Sequence, residues 1–195
     1  MEIVEYAKRG SIEVIVGPMY AGKSEELIRR VNRAKIADLV VLAFKPSIDD
    51  RYKKDMITTH SGKELECYVV KDTSEIKKYI EEREFDVLAI DEVQFFGDEI
   101  VDICEKAAEN GKRVIVSGLD MDFRGEPFGV TPYLMAIAEH VTKLTAICKV
   151  CKIPATRTQR LVNDKPAKYT DPVILVGAKE SYEARCRQCH IINKN

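Results

Sequence analysis

The first three quarters of the chain alternate short apolar runs with segments in which apolar residues recur every three or four positions. Apolar, β-branched runs predict buried strands at residues 12–16, 39–44, 85–90, 113–116 and 141–147. The amphipathic segments predict helices at residues 24–35, 75–83, 98–109 and 133–138. Strands that alternate with helices indicate an α/β fold, in which a mainly parallel sheet carries helices on both faces.

Two stretches depart from this alternation. Ser47 to Lys63 is polar and is predicted to be a loop after the second strand. Beyond residue 147 the apolar periodicity fades into a polar, turn-rich segment. A length of 195 residues suits one compact domain with a small addition rather than two full domains. We therefore expect an α/β domain over residues 1–147 and a small C-terminal domain over residues 148–195.

Residues 17–24 read GPMYAGKS and match the phosphate-binding pattern G-x-x-x-x-G-K-[ST]. They lie between a predicted strand and a predicted helix, where backbone N–H groups and a helix N-terminus can surround phosphate oxygens. In such a loop Lys23 reaches the β- and γ-phosphates and Ser24 binds Mg²⁺. An ordinary glycine-rich turn is the alternative, which the full match and both flanks disfavour. The predicted nucleotide-binding residues here are Gly17, Pro18, Met19, Tyr20, Ala21, Gly22, Lys23 and Ser24.

Asp91 and Glu92 follow the predicted strand 85–90, at the sheet edge where the chemistry of parallel α/β folds gathers. Because successive residues of a strand point to opposite faces, the two carboxylates are expected to have different roles. One suits the Mg²⁺ environment, and the other suits the phosphate acceptor or a water molecule. The alternative is that both only cap the following helix with negative charge. The guanine-reading element [NT]-K-x-D does not occur in the sequence, which disfavours a GTPase.

Four of the six cysteines form two C-x-x-C pairs separated by 34 residues, namely Cys148, Cys151, Cys186 and Cys189. Two such pairs are typical of a tetrathiolate zinc site that anchors the segment between them at its base. Four sulfur ligands close the coordination sphere, which favours a structural metal over a catalytic one. His190 could replace one thiolate, and four unligated cysteines are the alternative. Cys67 and Cys104 are expected to pack as small apolar residues.

Charge and composition narrow the function classes. The 31 basic and 32 acidic residues leave a net charge of −1, without the basic excess typical of nucleic-acid-binding proteins. The longest apolar run, residues 39–44, is too short to cross a membrane, and the N-terminus has no apolar signal core. We therefore expect a cytoplasmic protein with no nucleic-acid partner and no membrane partner.

Several segments together resemble one family. GPMYAGKS, DEVQFF, FRGEPFG, KLTAICKVC and SYEARCRQC occur in the order found in the thymidine kinases of the cellular, zinc-containing class. The resemblance runs from Ser11 to Cys189 and is specific, because it combines DEVQFF with a C-terminal loop anchored by cysteines. The chain ends six residues after Cys189, without the long tail of vertebrate members, so we expect a bacterial enzyme.

The resemblance implies ATP-dependent phosphorylation of the 5′-hydroxyl of thymidine to dTMP in nucleotide salvage, with deoxyuridine as a second substrate. It implies Mg²⁺ with ATP, a structural Zn²⁺, a homotetramer and feedback inhibition by dTTP. By the same resemblance, the fold is a P-loop α/β domain followed by a small zinc-ribbon or lasso domain. The lasso is the loop between the cysteine pairs, and it closes over the thymine base.

The resemblance also implies roles for individual residues of this sequence. Glu92 accepts the proton of the 5′-hydroxyl, and Lys23 and Arg51 stabilise the transferred phosphoryl group. Other nucleotide- and Mg²⁺-binding residues outside the loop 17–24 are Asp49, Asp91, Val93 and Gln94, with Glu92 among them. The thymidine-binding residues are Met19, Leu119, Phe123, Phe128, Thr158, Val173, Ile174, Leu175, Val176, Gly177 and Tyr182. The zinc ligands are the four paired cysteines, with Cys189 against His190 left open as the fourth.

Plain alternatives exist for several of these interpretations. From the residues alone, Asp49 and Arg51 could belong to a solvated run of charge, and Phe123 could be a core aromatic residue. A nucleic-acid-dependent ATPase that grips DNA with a zinc ribbon is the second functional hypothesis. The net charge of −1 and the lack of further motor motifs disfavour it. A zinc-ribbon scaffold with a vestigial phosphate loop is the third, and it makes the intact Lys23, Ser24 and Glu92 a coincidence.

Overall fold

The computed structural model describes residues 10–47, 56–59, 62–174 and 180–194. The described residues form four α-helices, α1 (Lys23–Ile36), α2 (Thr73–Glu82), α3 (Glu99–Glu109) and α4 (Thr131–Ile137), and a short 3₁₀ helix at Val93–Phe95. The strands of the first part are β1 (Ser11–Val16), β2 (Val41–Pro46), β3 (Met56–Thr58), β4 (Glu64–Glu66), β5 (Tyr68–Val70), β6 (Val87–Ile90), β7 (Arg113–Gly118) and β8 (His140–Lys143). The later strands are β9 (Ala146–Ile147), β10 (Pro154–Ala155), β11 (Arg157–Val162), β12 (Lys165–Pro166) and β13 (Glu180–Arg185).

Within these ranges, six strands form one parallel sheet in the order β5-β2-β6-β7-β1-β8. Every residue of β1, β6 and β7 is buried, which explains why these strands appear as apolar runs rather than as alternating patterns. Their carboxyl ends lie side by side and continue into Gly17, Asp91 and Leu119 respectively. The parallel sheet confirms the predicted α/β class.

Helices cover both faces of this sheet. On one face, Leu27 and Val31 of α1 pack in a buried cluster with Ile15 of β1. On the other face, Ile100 of α3 packs in a second cluster with Val14 of β1. Neighbouring residues of β1 therefore contribute to different clusters, because side chains alternate along a strand. The sheet is thus the middle layer of three, as the sequence predicts.

The predicted loop from Ser47 to Lys63 is partly wrong. Within it, β3 pairs antiparallel with β4, which begins just after the predicted loop. The next strand, β5, joins the edge of the main sheet beside β2 and was not predicted. Each of these strands has three residues, which is too few for a periodic pattern to appear in the sequence.

The predicted single strand at residues 141–147 is also wrong, because the structure divides it into two. β8 pairs with β1 in the main sheet, and the Leu144 N–H then donates to the carbonyl of Val16 at 2.7 Å. The chain leaves the main sheet after this hydrogen bond, and β9 pairs with β10 in a separate hairpin. Both pieces are apolar, so hydrophobicity alone does not reveal the change of partner.

The last part of the chain, Ala146–Lys194, is named the cysteine region below. In it, β11 pairs antiparallel with both β12 and β13. Its buried cluster consists, among the described residues, of three alanines and two cysteines: Ala146, Ala155, Ala184, Cys148 and Cys186. No helix in the described ranges is long and apolar enough to span a membrane.

Candidate active site

The phosphate loop, residues 17–24, joins β1 to α1 and has the backbone that its glycines permit. Gly17 has φ 150° and Gly22 has φ 82°, values that residues other than glycine rarely adopt. A Cβ atom on Gly17 would lie 2.6 Å from the carbonyl oxygen of Leu144. The loop therefore requires glycine at residue 17 both for its conformation and for its close contact with the chain after β8.

Lys23 lies at the start of α1 with its side chain folded over the loop. Its Nζ donates to the carbonyl of Pro18 at 2.9 Å, and only 8% of the residue is exposed. Burial lowers the pKa of Lys23, and the carboxylates of Glu92, Asp91 and Asp120 oppose that shift. These three acids are thus close enough to interact electrostatically with the ammonium group, so the strand ends and the loop share one charged site.

Asp91 is held at the end of β6 by three donors. Its Oδ2 accepts from the Ser24 hydroxyl at 2.8 Å, and its Oδ1 accepts from the Ser117 hydroxyl and from the Glu92 N–H. The residue is 5% exposed. A serine hydroxyl beside a carboxylate offers the oxygen ligands that Mg²⁺ prefers. Ser24 and Asp91 therefore fit the Mg²⁺ that the phosphate loop implies, and Ser117 is a contact that the sequence analysis missed.

Glu92 follows in a different conformation and with different partners. Its φ of 52° and ψ of 43° place it in the left-handed region, which is uncommon for a residue with a side chain. The Gln94 side chain donates from Nε2 to Glu92 Oε2 at 2.5 Å. Asp91 and Glu92 thus have separate surroundings, as expected for neighbouring residues at a strand end.

Aromatic and apolar residues predicted to bind thymidine lie beside this charged site. Leu119 follows β7 directly, and its N–H donates to Gln94 Oε1 at 3.0 Å. The ring of Phe128 packs edge-on against Phe95, with centroids 5.7 Å apart. Phe123 is buried, as the core-aromatic alternative also expects. These contacts bring the ends of β6 and β7 together with the segment that follows β7.

The cysteine region contacts the phosphate loop directly. The N–H of Met19 donates to the Thr158 hydroxyl of β11 at 3.0 Å. Both residues were predicted to bind thymidine, and this hydrogen bond brings them together across 139 positions of sequence. Tyr182 of β13 lies opposite Arg160 of β11 in the antiparallel pair of these strands and is half-buried. Val173 is half-buried as well, whereas Ile174 is exposed.

Arg160 is a residue that the sequence analysis missed. It is completely buried, and its guanidinium lies over the ring of Phe123 at 3.7 Å from the centroid. Its Nη1 donates to the carbonyl of Pro172 at 2.7 Å. Arg160 therefore connects Phe123 to Pro172, the residue before the predicted base-covering segment 173–177. A charged residue in a polar segment gives no sequence signal of burial, so only the fold could reveal it.

The four paired cysteines come together at one point. Their Sγ atoms all lie within 4.8 Å of one another, and the sulfurs of Cys151 and Cys186 are 3.6 Å apart. Zinc–sulfur bonds of about 2.3 Å in a tetrahedron separate the sulfurs by about 3.8 Å, so the cluster fits Zn²⁺. Burial alone would raise the pKa of Cys148, but backbone N–H groups, among them that of Cys151, lower it to about 6. The pKa of Cys186 is lowered as well, whereas hydrogen bonds among the sulfurs raise the pKa of Cys189 to about 12, and that of Cys151 is also raised. The fit to Zn²⁺ therefore rests on the geometry of the four sulfurs.

His190, which the sequence left open as a zinc ligand, forms a hydrogen bond outside the sulfur cluster. Its Nε2 lies 2.8 Å from the carbonyl oxygen of Phe123, to which the ring N–H donates. Burial lowers the pKa of His190. With Cys189 in the sulfur cluster and His190 on Phe123, the geometry favours four cysteines as the ligand set. His190 also ties the cysteine cluster to a predicted thymidine-binding residue.

The remaining predicted residues have a mixed outcome. Cys67 and Cys104 are buried in the two core clusters, which confirms that they pack as apolar residues. Five residues of the predicted site lie outside the described residues, namely Asp49, Arg51, Leu175, Val176 and Gly177.

A family model described as thymidine kinase matches residues 10–190. Three solved structures to which the chain is similar have TM-scores below 0.5. Domain III of the replication initiation protein DnaA from Thermotoga maritima is 18% identical with TM-score 0.43, over 72% of this chain and 58% of that chain. The Legionella pneumophila ATPase DotB is 11% identical with TM-score 0.46, over 78% and 45%. The genome packaging NTPase B204 from Sulfolobus turreted icosahedral virus 2 is 18% identical with TM-score 0.45, over 69% and 74%.

The chain spans 58% and 45% of the lengths of the first two of these structures. The family match, by contrast, includes the phosphate loop, the acidic pair and all four clustered cysteines, because it runs from residue 10 to residue 190. The four-cysteine cluster is consistent with the zinc-containing class. The chain therefore belongs to the thymidine kinase family of phosphotransferases.

Proposed function

We propose that the protein transfers the γ-phosphoryl group of ATP to the 5′-hydroxyl of thymidine, giving dTMP and ADP, and that it accepts deoxyuridine as a second substrate. The observation that carries this proposal is the convergence of Lys23, the Ser24–Asp91 pair and Glu92 at one edge of the sheet, within a chain of the thymidine kinase family. This constellation supplies both a triphosphate site and a nearby proton acceptor.

In the proposed reaction, the phosphate loop holds the triphosphate with its backbone N–H groups. Lys23 gives up its hydrogen bond to Pro18 and pairs with the β- and γ-phosphates, which restores a charged partner to a buried ammonium. Ser24 would hold Mg²⁺, and Asp91 and Asp49 would contact it through water. When bound, Mg²⁺ neutralises charge on the phosphate oxygens. Arg51 adds positive charge at the γ-phosphoryl group.

Glu92 takes the proton of the 5′-hydroxyl as that oxygen forms its bond to the γ-phosphorus. The bond between the γ-phosphorus and the bridging oxygen breaks, and ADP leaves with the electron pair. A carboxylate within hydrogen-bond reach of the attacking hydroxyl suits this role. Most of the acceleration is expected from positioning and charge stabilisation, because phosphoryl transfer needs little covalent help.

The nucleoside would lie against Leu119, Phe123 and Phe128, with its base covered by the segment from Val173 to Gly177. An apolar surface around the 5-methyl group distinguishes thymidine from deoxyuridine by one methyl, so we expect a preference of roughly 1–3 kcal/mol. Cytosine is rejected more strongly, because its exchanged donor and acceptor leave polar groups unpaired.

The remaining parts of the proposal follow the family. Zn²⁺ on the four cysteines has a structural role, because four sulfurs leave no open coordination position. A cytoplasmic location suits six cysteines that are all free, because thiols persist in reducing compartments. A homotetramer and inhibition by dTTP complete the proposal.

The test is phosphorylation of a nucleoside panel with Mg-ATP, combined with Glu92→Gln. We expect dTMP from thymidine, and a loss of roughly 10²- to 10⁴-fold in kcat for the variant, the usual contribution of a general base. Retained ATP binding by the variant is the control for folding. Absence of thymidine and deoxyuridine phosphorylation by the unaltered protein would overturn the proposal, and full turnover by the variant would remove Glu92 from it.

A further inference from the structure

Gln94 forms a bridge between the ends of two neighbouring strands. Its side-chain amide donates from Nε2 to Glu92 Oε2 at 2.5 Å, and its Oε1 accepts from the Leu119 N–H at 3.0 Å. The residue is buried, with 3% of its surface exposed. One short side chain thus contacts both the proposed proton acceptor after β6 and the proposed nucleoside-binding segment after β7.

The direction of this amide is fixed by chemistry. A backbone N–H can only donate, so the oxygen of the amide must face Leu119, and the NH₂ group must then face Glu92. The NH₂ group has no lone pair to accept with, so its carboxylate partner has to act as the acceptor. The bridge therefore orients the carboxyl group of Glu92, whose oxygen atoms can accept this hydrogen bond.

The surroundings of Gln94 leave it little freedom. A Cβ atom on Gly118 would lie 2.5 Å from Gln94 Oε1, so the amide occupies the space that a side chain at that position would need. A Cβ atom on Gly129 would lie 2.5 Å from the Gln94 carbonyl oxygen. Two glycines thus allow close contact with Gln94 on both its side chain and its backbone.

Glu92 needs such support because of its backbone conformation. Its φ of 52° lies in the left-handed region, which residues with a Cβ adopt only when their surroundings hold them there. Between the carboxylate and the strand that follows, the Gln94 amide is the connecting group that the described hydrogen bonds provide. Loss of the amide would remove this hydrogen bond from the carboxyl group.

We propose that Gln94 is the positioning residue of the reaction: it orients the Glu92 carboxyl group toward the nucleoside 5′-hydroxyl, and it connects that group to Leu119 in the nucleoside-binding segment. This inference rests on the proposed function, because it assumes that Glu92 accepts the proton. It assigns Gln94 to the acceptor side of the site rather than to the nucleotide or Mg²⁺, the role that family resemblance implies.

The first test is Gln94→Met, which keeps the shape of the side chain and removes both hydrogen bonds. Misplacement of a reacting group lowers kcat far more than it changes substrate binding, so we expect kcat to fall roughly 10- to 100-fold. The KM for thymidine and the Kd for ATP should change by less than about threefold. A rise in the Kd for ATP with kcat preserved would instead place Gln94 on the nucleotide and overturn the inference.

The second test is Gln94→Glu, which separates positioning from a merely structural role. Two carboxyl groups in hydrogen-bond contact share a proton, so the introduced carboxyl can donate to Glu92 only while it is protonated. We expect the kcat of this variant to rise as the pH falls from about 8 to about 6, opposite to the unaltered enzyme, whose proton acceptor loses activity in acid. A profile parallel to that of the unaltered enzyme would contradict the inference.

Gln159→Met is the matched control, because the Gln159 amide is also buried and also forms hydrogen bonds at both ends. It donates to the carbonyls of Ile191 and Arg160 and accepts from the Ile191 N–H. The substitution should lower thermal stability while the pH profile of kcat keeps its original form. Gly118→Ala perturbs the bridge without changing a polar group, and it should lower kcat in the same direction as Gln94→Met.

The outcomes separate the two levels of the proposal. If Glu92→Gln retains full turnover, the proposed role of Glu92 fails and takes the inference with it. If Glu92→Gln loses activity while a folded Gln94→Met variant has the original kcat, only the inference about Gln94 fails. Circular dichroism and the melting temperature of each variant identify any that does not fold.

Discussion

The main sheet and the cysteine region bury different kinds of side chain. In the main sheet, β1, β6 and β7 are buried along their whole length, and branched aliphatic side chains fill both faces. In the cysteine region, the buried cluster of the described residues contains alanines and cysteines only. Apolar burial contributes about 25 cal/mol per Å², so small side chains provide much less stabilisation than Ile, Val and Leu.

The difference teaches where each part of the proposed site gets its rigidity. The phosphate loop and the acidic pair grow out of the main sheet, and packing holds them. The nucleoside side depends on the cysteine region, through hydrogen bonds such as Met19 to Thr158 and His190 to Phe123. A metal that joins four sulfurs can supply the order that three alanines cannot.

The largest effect is expected from removing zinc. Structural Zn²⁺ contributes about 10–16 kcal/mol of apparent binding free energy in small zinc domains. The apolar burial of three alanines cannot supply a stabilisation of that size. Chelation should therefore raise hydrogen exchange in β11 and abolish thymidine binding, while β1 stays protected. Zinc content, exchange and nucleoside binding are measured on the same sample.

Cys104→Ala is the control for that experiment. Cys104 of α3 is buried in a core cluster against the main sheet and is not one of the four clustered cysteines, so it should not bind metal. The variant should keep its full zinc content. Unchanged protection of β11 after complete zinc loss would show that the cysteine region does not depend on the metal.

A smaller effect, on the stability of the main sheet rather than of the cysteine region, is expected for Leu27→Ala. Leu27 of α1 is completely buried against the main sheet, and its truncation should cost about 2–5 kcal/mol of unfolding free energy. Urea unfolding should show the loss, and zinc content should not change in the folded protein. If zinc is lost at urea concentrations below the unfolding of the sheet in this variant alone, the two regions are more tightly coupled than the comparison assumes.

Arg160→Met tests the connection between the regions. The change removes the cation over the Phe123 ring and the hydrogen bond to Pro172. The KM for thymidine should rise roughly tenfold, equivalent to about 1.4 kcal/mol, with the Kd for ATP unchanged. Arg160→Lys, which keeps the charge without the planar group, should be intermediate. An unchanged KM in Arg160→Met would rule out this connection.

The smallest effect is expected on the stability of the folded protein in acid, through the ion pairs of Glu26 on α1. Arg29 donates to the Glu26 carboxylate, burial opposes the resulting shift, Arg30 adds to it, and together they lower the pKa of Glu26 to about 2. A carboxylate with a lowered pKa stabilises the folded state above its unfolded value of 4.5, and that contribution is lost as the pH falls from there toward 2.

Urea midpoints measured across that pH range should fall less steeply for Glu26→Gln than for the unaltered protein. High salt should reduce the difference, because the pair lies near the surface and is screened. Equal slopes for the two proteins at low salt would show that the ion pair does not contribute to folding.

Much of the main sheet could be predicted from the sequence because its signals are local. The runs at residues 12–16, 85–90 and 113–116 are apolar except for one charged residue each, Glu13, Asp86 and Arg113, as expected for strands buried on both faces. The phosphate loop has a fixed pattern, because its glycines must adopt φ values that other residues avoid. Both signals lie within a few consecutive residues.

What escaped prediction depends on partners far away in the chain. The division of residues 141–147 follows from β8 meeting β1 while β9 meets β10. The burial of Arg160 follows from the fold around Phe123 and Pro172. The bridge through Gln94 requires Leu119 to lie beside the end of β6. None of these contacts has a pattern in the residues next to it.

The contact between Gly17 and Leu144 limits where the chain can be cut or joined in an engineered variant. The chain leaves the main sheet for the cysteine region at Leu144, which hydrogen-bonds to Val16 and leaves no room for a Cβ atom on Gly17. A chimaera that exchanges cysteine regions between two kinases should therefore be joined after residue 145 rather than before it. A junction or circular-permutation site at Leu144 would be expected to distort the phosphate loop itself.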